Sequence, residues 1–152
     1  MAFTTVPVNR RYKVFHRIMV PVDLTNRNIP ALQIAMKLAL QNHARVTLVH
    51  VIATLEGESI EEFGSFYRKL EKQAWDKLEG LAEELVSQGV VVHQEVLFGR
   101  RAEQIVQFAM EHQMDLIVLS SHKIDLKNPA QGWGSISYKV GILSQCPVLL
   151  VK

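Results

Sequence analysis

From Arg17 onward the apolar positions alternate between two periods. The run "RIMVPV" (17–22) is continuously apolar and closes on Asp23, as a buried strand does. The next stretch, "NIPALQIAMKLALQ" (28–41), places Ala31, Ile34, Ala35 and Leu38 at the spacing of one helix face. Asn28 is the expected N-cap, its side-chain oxygen accepting from an orphan helix N–H, and Pro30 fits the first turn, where no intrahelical donor is needed. A second strand is predicted at "RVTLVHVI" (45–52). A long helix follows, carrying Tyr67, Leu70, Ala74, Leu78, Leu81 and Leu85 on one face until Gly89 stops it. The pattern then repeats: strand 90–98; helix 102–113 with Ala102, Ile105, Val106 and Ala109 inward; strand 115–120; helix 135–143 with Ile136, Val140 and Leu143 on one face; strand 147–151.

Strands that are apolar on both faces and alternate with amphipathic helices predict a parallel sheet covered on both sides, with right-handed crossovers. The fold class is α/β, doubly wound, in one domain spanning 14–152. Residues 1–13 lack periodicity and end in "NRRYK", the pattern of a flexible arm or of an edge that docks on a partner. Two connections, 53–60 and 121–134, are long enough to carry function.

Composition adds limits. A chain of 152 residues with formal charge +2 forms a core without staples, and its charge calls for neither a nucleic acid nor an anionic membrane. No apolar run reaches the length that spans a bilayer and the N-terminus lacks a secretory core, so a cytoplasmic location is expected. The single cysteine, Cys146, cannot form an internal disulfide and suits a small buried site. The six histidines (16, 43, 50, 93, 112, 122) are too dispersed for a metal site, and no nucleophile elbow, P-loop or G-x-G-x-x-G fingerprint occurs. An efficient enzyme is not expected. The charges Arg68, Lys69, Glu71 and Lys72 read as a solvated helix face.

Four segments in this order, "RIMVPVD", "VTLVHVI", "FGRRAEQIVQFAMEHQMDLIVLSSH" and "GSISYKVGILSQCPVLLVK", resemble the universal stress protein family across Arg17 to Lys152. The resemblance implies a five-stranded parallel sheet in the order 3-2-1-4-5 and a homodimer paired through the C-terminal strand, 147–151. One group of this family binds ATP or another adenine nucleotide; the other does not. In the binding group the acid ending the first strand lies near the nucleotide, a residue after the second strand's histidine contacts adenine, and a glycine motif after the fourth strand holds the phosphates. Carried to this chain, the first two elements are Pro21, Val22 and Asp23, with Val51. The third is Ser120, Ser121, His122 and Lys123, continued by Gly134, Ser135 and Ile136. Strands one and four are then neighbours whose following loops diverge to opposite faces, the switch point where open α/β sheets take ligands.

The glycine motif is degenerate. The family pattern is G-x-x-G, nine residues, then G-S or G-T; here Ser120 and Lys123 stand at the early glycines and ten residues, 124–133, precede Gly134. Gly134-Ser135 reads equally as an anion-attracting helix start and as an ordinary glycine turn with a serine N-cap. Lys123 either adds a charge for a phosphate or fills the space one would take. His122 reads as a solvated loop residue, and His50 as a structural histidine at the sheet's end. Trp133 could stack on a base or partner, but the commoner reading is a lid over the core. Asp23 could meet ribose hydroxyls, or Mg²⁺ arriving with phosphates, or serve only as a turn residue. Two functions remain: a module responding to ATP or AMP, with at most slow ATP hydrolysis or autophosphorylation, or an interaction protein whose phosphate site is closed.

Overall fold

The computed structural model describes residues 14–55 and 61–152; the predicted arm, 1–13, and part of the first long connection lie outside the described residues. Five strands are present: β1 (Arg17–Pro21), β2 (Arg45–Ala53), β3 (Val91–Gly99), β4 (Leu116–Ser120) and β5 (Val148–Val151). Between them run α1 (Ile29–Asn42), α2 (Gly64–Ser87), α3 (Arg101–Glu111) and α4 (Ile136–Leu143), with short 3₁₀ turns at Asn26–Asn28 and Pro129–Gly132. The strands form one parallel sheet in the order β3-β2-β1-β4-β5, the expected order.

The two faces of the sheet bury separate apolar clusters. Ile18, Val20, Val46, Leu48 and Val118 pack against Ala31 and Ala35 of α1 and Leu78 and Leu85 of α2. On the opposite face Met19, Val49, Val51, Ile117 and Leu119 meet Ala102, Ile105 and Ala109 of α3 and Val140 of α4. Alternate residues of each strand thus enter opposite cores, the physical reason these strands read as unbroken apolar runs. Gly89 ends the α2 segment with φ 94°, and its N–H donates to the Val86 carbonyl.

The β1–β4 ladder is short. Registered pairs occur at Ile18 with Leu116 and Met19 with Ile117, whereas β1 and β2 pair along all five residues of β1. At the start of this seam Asp115 accepts from the backbone N–H groups of His16 (2.6 Å) and Arg17 (2.9 Å), tying the strand beginnings together.

Three local expectations are corrected. Trp133 is 62% exposed and lids nothing: the 3₁₀ turn before it buries Gly132 instead, with Ile124 packed so closely that a Cβ there would lie 2.8 Å from its Cδ1. Leu143, at the end of the two-turn α4, is 50% exposed, so Ile136 and Val140 face inward without it. Cys146 is half-buried at the edge of the second cluster, its Sγ 3.4 Å from the Ser144 hydroxyl.

Candidate functional site

The site grows from the end of β1. Val22 continues the sheet by donating its N–H to the Val49 carbonyl at 2.9 Å, and then the chain turns. The Asp23 side chain makes that turn: its Oδ1 accepts from the backbone N–H (2.9 Å) and the hydroxyl (2.6 Å) of Thr25. No described residue bonds Oδ2, and the side chain is exposed.

The Asp23 backbone N–H donates to Asn28 Oδ1 at 2.9 Å, and Asn28 Nδ2 donates to Ser120 Oγ at 3.2 Å. Asn28 is therefore not the side-chain N-cap that its position predicts: it makes no capping bond to α1. Both ends of its amide are used elsewhere, as a buried latch joining the end of β1 to the end of β4. Next to it, His50 Nδ1 lies 2.8 Å from the Val22 carbonyl. A carbonyl only accepts, so Nδ1 carries the proton and fixes the Asp23 turn from the other side.

These groups surround an open, solvent-facing cleft at the carboxyl ends of β1, β2 and β4. Its apolar wall comes from Val49, Val51, Ile105, Leu119 and Ile136. Its polar lining is Asp23, Asn28, His50, Ser120, Ser137 and Arg101. Arg101 begins α3, and Ile136 and Ser137 are the first residues of α4, so two helix N-termini with their partial positive charge face one hollow. Among the described residues Arg101 is the one permanent cation lining it and Asp23 the one carboxylate.

Six of the residues singled out by sequence come together here: Pro21, Val22, Asp23, Val51, Ser120 and Ile136. Ser121, His122, Lys123, Gly134 and Ser135 do not line the cleft. The Ser121 N–H donates to the Val151 carbonyl at 2.8 Å, continuing the β4–β5 ladder, and Lys152 Nζ donates to the His122 carbonyl at 3.4 Å. The chain after Ser120 is thereby held at the sheet edge. Ser135 is occupied within its own turn, accepting from the Tyr138 N–H at 3.2 Å and donating to the Gly132 carbonyl at 2.7 Å. Gly134 is exposed, and a Cβ there would meet no atom within 4 Å. Asn28, Arg101 and Ser137 were missed by sequence reasoning; only the position of Arg101, opening a helix directly after a strand, gave a signal.

Among the described residues no three His, Cys, Asp or Glu side chains are grouped to hold a metal ion, and no helix is long and apolar enough to cross a membrane.

Residues 15–152 match the universal stress protein family. The chain is 32% identical to universal stress protein MJ0531 of Methanocaldococcus jannaschii over 146 residues, covering 91% of this chain and 83% of that one. The solved structure of MJ0577, from the same organism, superposes with a TM-score of 0.78 at 32% identity, covering 91% and 96% of the two chains. A universal stress protein of Archaeoglobus fulgidus solved with dAMP has the same fold, with a TM-score of 0.67 at 20% identity and coverage of 91% and 99%. With the sheet order, the fork between β1 and β4 and a family match over nearly its whole length, this chain belongs to the universal stress protein family.

Proposed function

We propose that the chain is a regulatory module of the cytoplasm that binds an adenine nucleotide, AMP or ATP, in the cleft between β1 and β4. The observation that carries this reading is the Asn28 latch. It fixes the Asp23 turn and the Ser120 hydroxyl beside one hollow, with an apolar wall on one side and two helix N-termini facing in. A carboxylate with an unengaged oxygen suits ribose hydroxyls, and an apolar wall suits a flat base. Asp23 would also meet any Mg²⁺ that arrives with phosphates. The dAMP-bound relative supports the choice of an adenine nucleotide.

A thermal titration tests it. AMP at about a hundred times its dissociation constant stabilises by about 2.7 kcal/mol, a rise of about 5–10 °C in Tm for a domain of this size. Asp23→Ala weakens binding about tenfold and so halves that rise at the same AMP concentration. A wild-type midpoint that stays put at millimolar AMP and ATP removes the reading.

That outcome favours the second one, an interaction protein without nucleotide. The observation on its side is the connection before α4, which holds Leu126 at 91% exposure along with Trp133. In either case we place a homodimer contact on the outer edge of β5, which among the described residues pairs only with β4. Leu149, 39% exposed on that strand, is the position to charge. Leu149→Lys is expected to halve the mass measured by sedimentation; an unchanged dimer mass moves the contact elsewhere.

A further inference from the structure

We infer that the cleft grips a nucleoside monophosphate and leaves the second and third phosphates of a triphosphate without a fixed partner, with Arg101 lying against the base; the inference rests on the nucleotide reading above. The argument is one of reach. The cleft's chemistry changes along the sheet in strand order. At the end of β2 it is apolar, with Val51 and Ile105 nearly inaccessible and Arg101 one turn before Ile105. At the end of β1 stands Asp23. At the end of β4 are the Ser120 hydroxyl and the first turn of α4.

Neighbouring strands lie about 4.8 Å apart, so β2 to β4 spans about 10 Å, enough for a base, a ribose and one phosphate in that order. The phosphate then meets Ser120 and the unbonded N–H groups that open α4. A longer phosphate chain would continue toward β5, where the partners are already spent. Ser121 N–H is bonded to Val151, and the Ser135 hydroxyl both accepts and donates within its turn. His122 and Lys123 are exposed outside the cleft. Lys123 stands where the family pattern has its second glycine, so the backbone beyond Ser120 carries a side chain where a further phosphate would need close approach. At the other end, Arg101 lines the cleft together with Val51 and Ile105, and a planar guanidinium that stacks on a purine face adds affinity that does not depend on phosphate.

Calorimetric titration with adenosine, AMP and ATP separates the possibilities. AMP and ATP are expected to bind within about threefold of each other, both more tightly than adenosine. Arg101→Ala is expected to weaken adenosine and AMP by the same factor, about fivefold, and Arg101→Lys not to restore it, because a point charge does not stack as a plane does. ATP binding ten times more tightly than AMP overturns the inference while leaving the nucleotide reading intact. So does an Arg101→Ala variant impaired for AMP but not for adenosine, which would assign the guanidinium to phosphate. No binding of any of the three removes the nucleotide reading itself, and this inference with it.

Discussion

Asn28→Ala is expected to lower the unfolding free energy by about 2 kcal/mol and, in the same variant, to weaken AMP binding by about tenfold. Alanine removes the acceptor for the Asp23 N–H and the donor to Ser120 together, in a site where Asn28 is only 3% exposed. The Asp23 N–H is partly buried, and left without a partner it carries a desolvation cost above the net worth of an ordinary hydrogen bond. The stability part is read from urea unfolding as a lower midpoint at unchanged slope. The binding part follows because the Asp23 turn and the Ser120 hydroxyl lose the group that holds them on one hollow. Asn28→Asp keeps an acceptor and still reaches Ser120, whose hydroxyl can donate in its turn. It is expected to recover little of the binding, since a second carboxylate beside Asp23 repels an anionic ligand. A midpoint and an AMP affinity both equal to wild type would show that the latch holds nothing.

The second large effect lies in the other half of the molecule. Leu78, 0% exposed, comes from α2 into the cluster around Val46, Leu48 and Leu85 and takes no part in the cleft. Leu78→Ala is expected to cost about 3 kcal/mol, the lost transfer energy plus the cavity left behind. For a domain of this size that lowers the Tm by about 6–12 °C. AMP affinity, measured well below the transition, should not move, because α2 packs on the face of the sheet opposite α3 and α4. Calorimetric melting and a binding titration on one sample check both halves; a change in affinity at fixed fold would mean that the two faces are coupled through the sheet.

The fold was legible because its signal is redundant. The central strands are apolar on both faces and the longer helices repeat their stripe over several turns, so one misread residue there changes nothing. Sheet order came from the family resemblance and not from periodicity. The site is less redundant. Asn28 stands where an N-cap belongs, and nothing in the sequence says that its amide is claimed by Asp23 and Ser120, ninety-two residues away in the second case. Trp133 was read inward on its size, whereas Gly132 admits Ile124 and the ring is turned outward. Arg101 belongs to no motif, and only the packing of α3 beside α4 brings it to the cleft. Val51, Asp23 and Ser120 were carried over from the family resemblance, and the crevice at the strand ends of an open parallel sheet gives the physical reason for their position. The residues between Ser120 and Ile136 were harder, since a connection of that length takes its path from contacts made only after folding.

The brevity of the β1–β4 seam has a mechanical meaning. Two registered pairs join β3-β2-β1 to β4-β5 at the lower end of the sheet, and at the upper end one side-chain amide bridges the gap. Whatever lodges there touches both flanks at once and acts as a splint across this short seam. Occupancy would then be felt as stiffness at the outer edge strand, well away from the bound molecule itself.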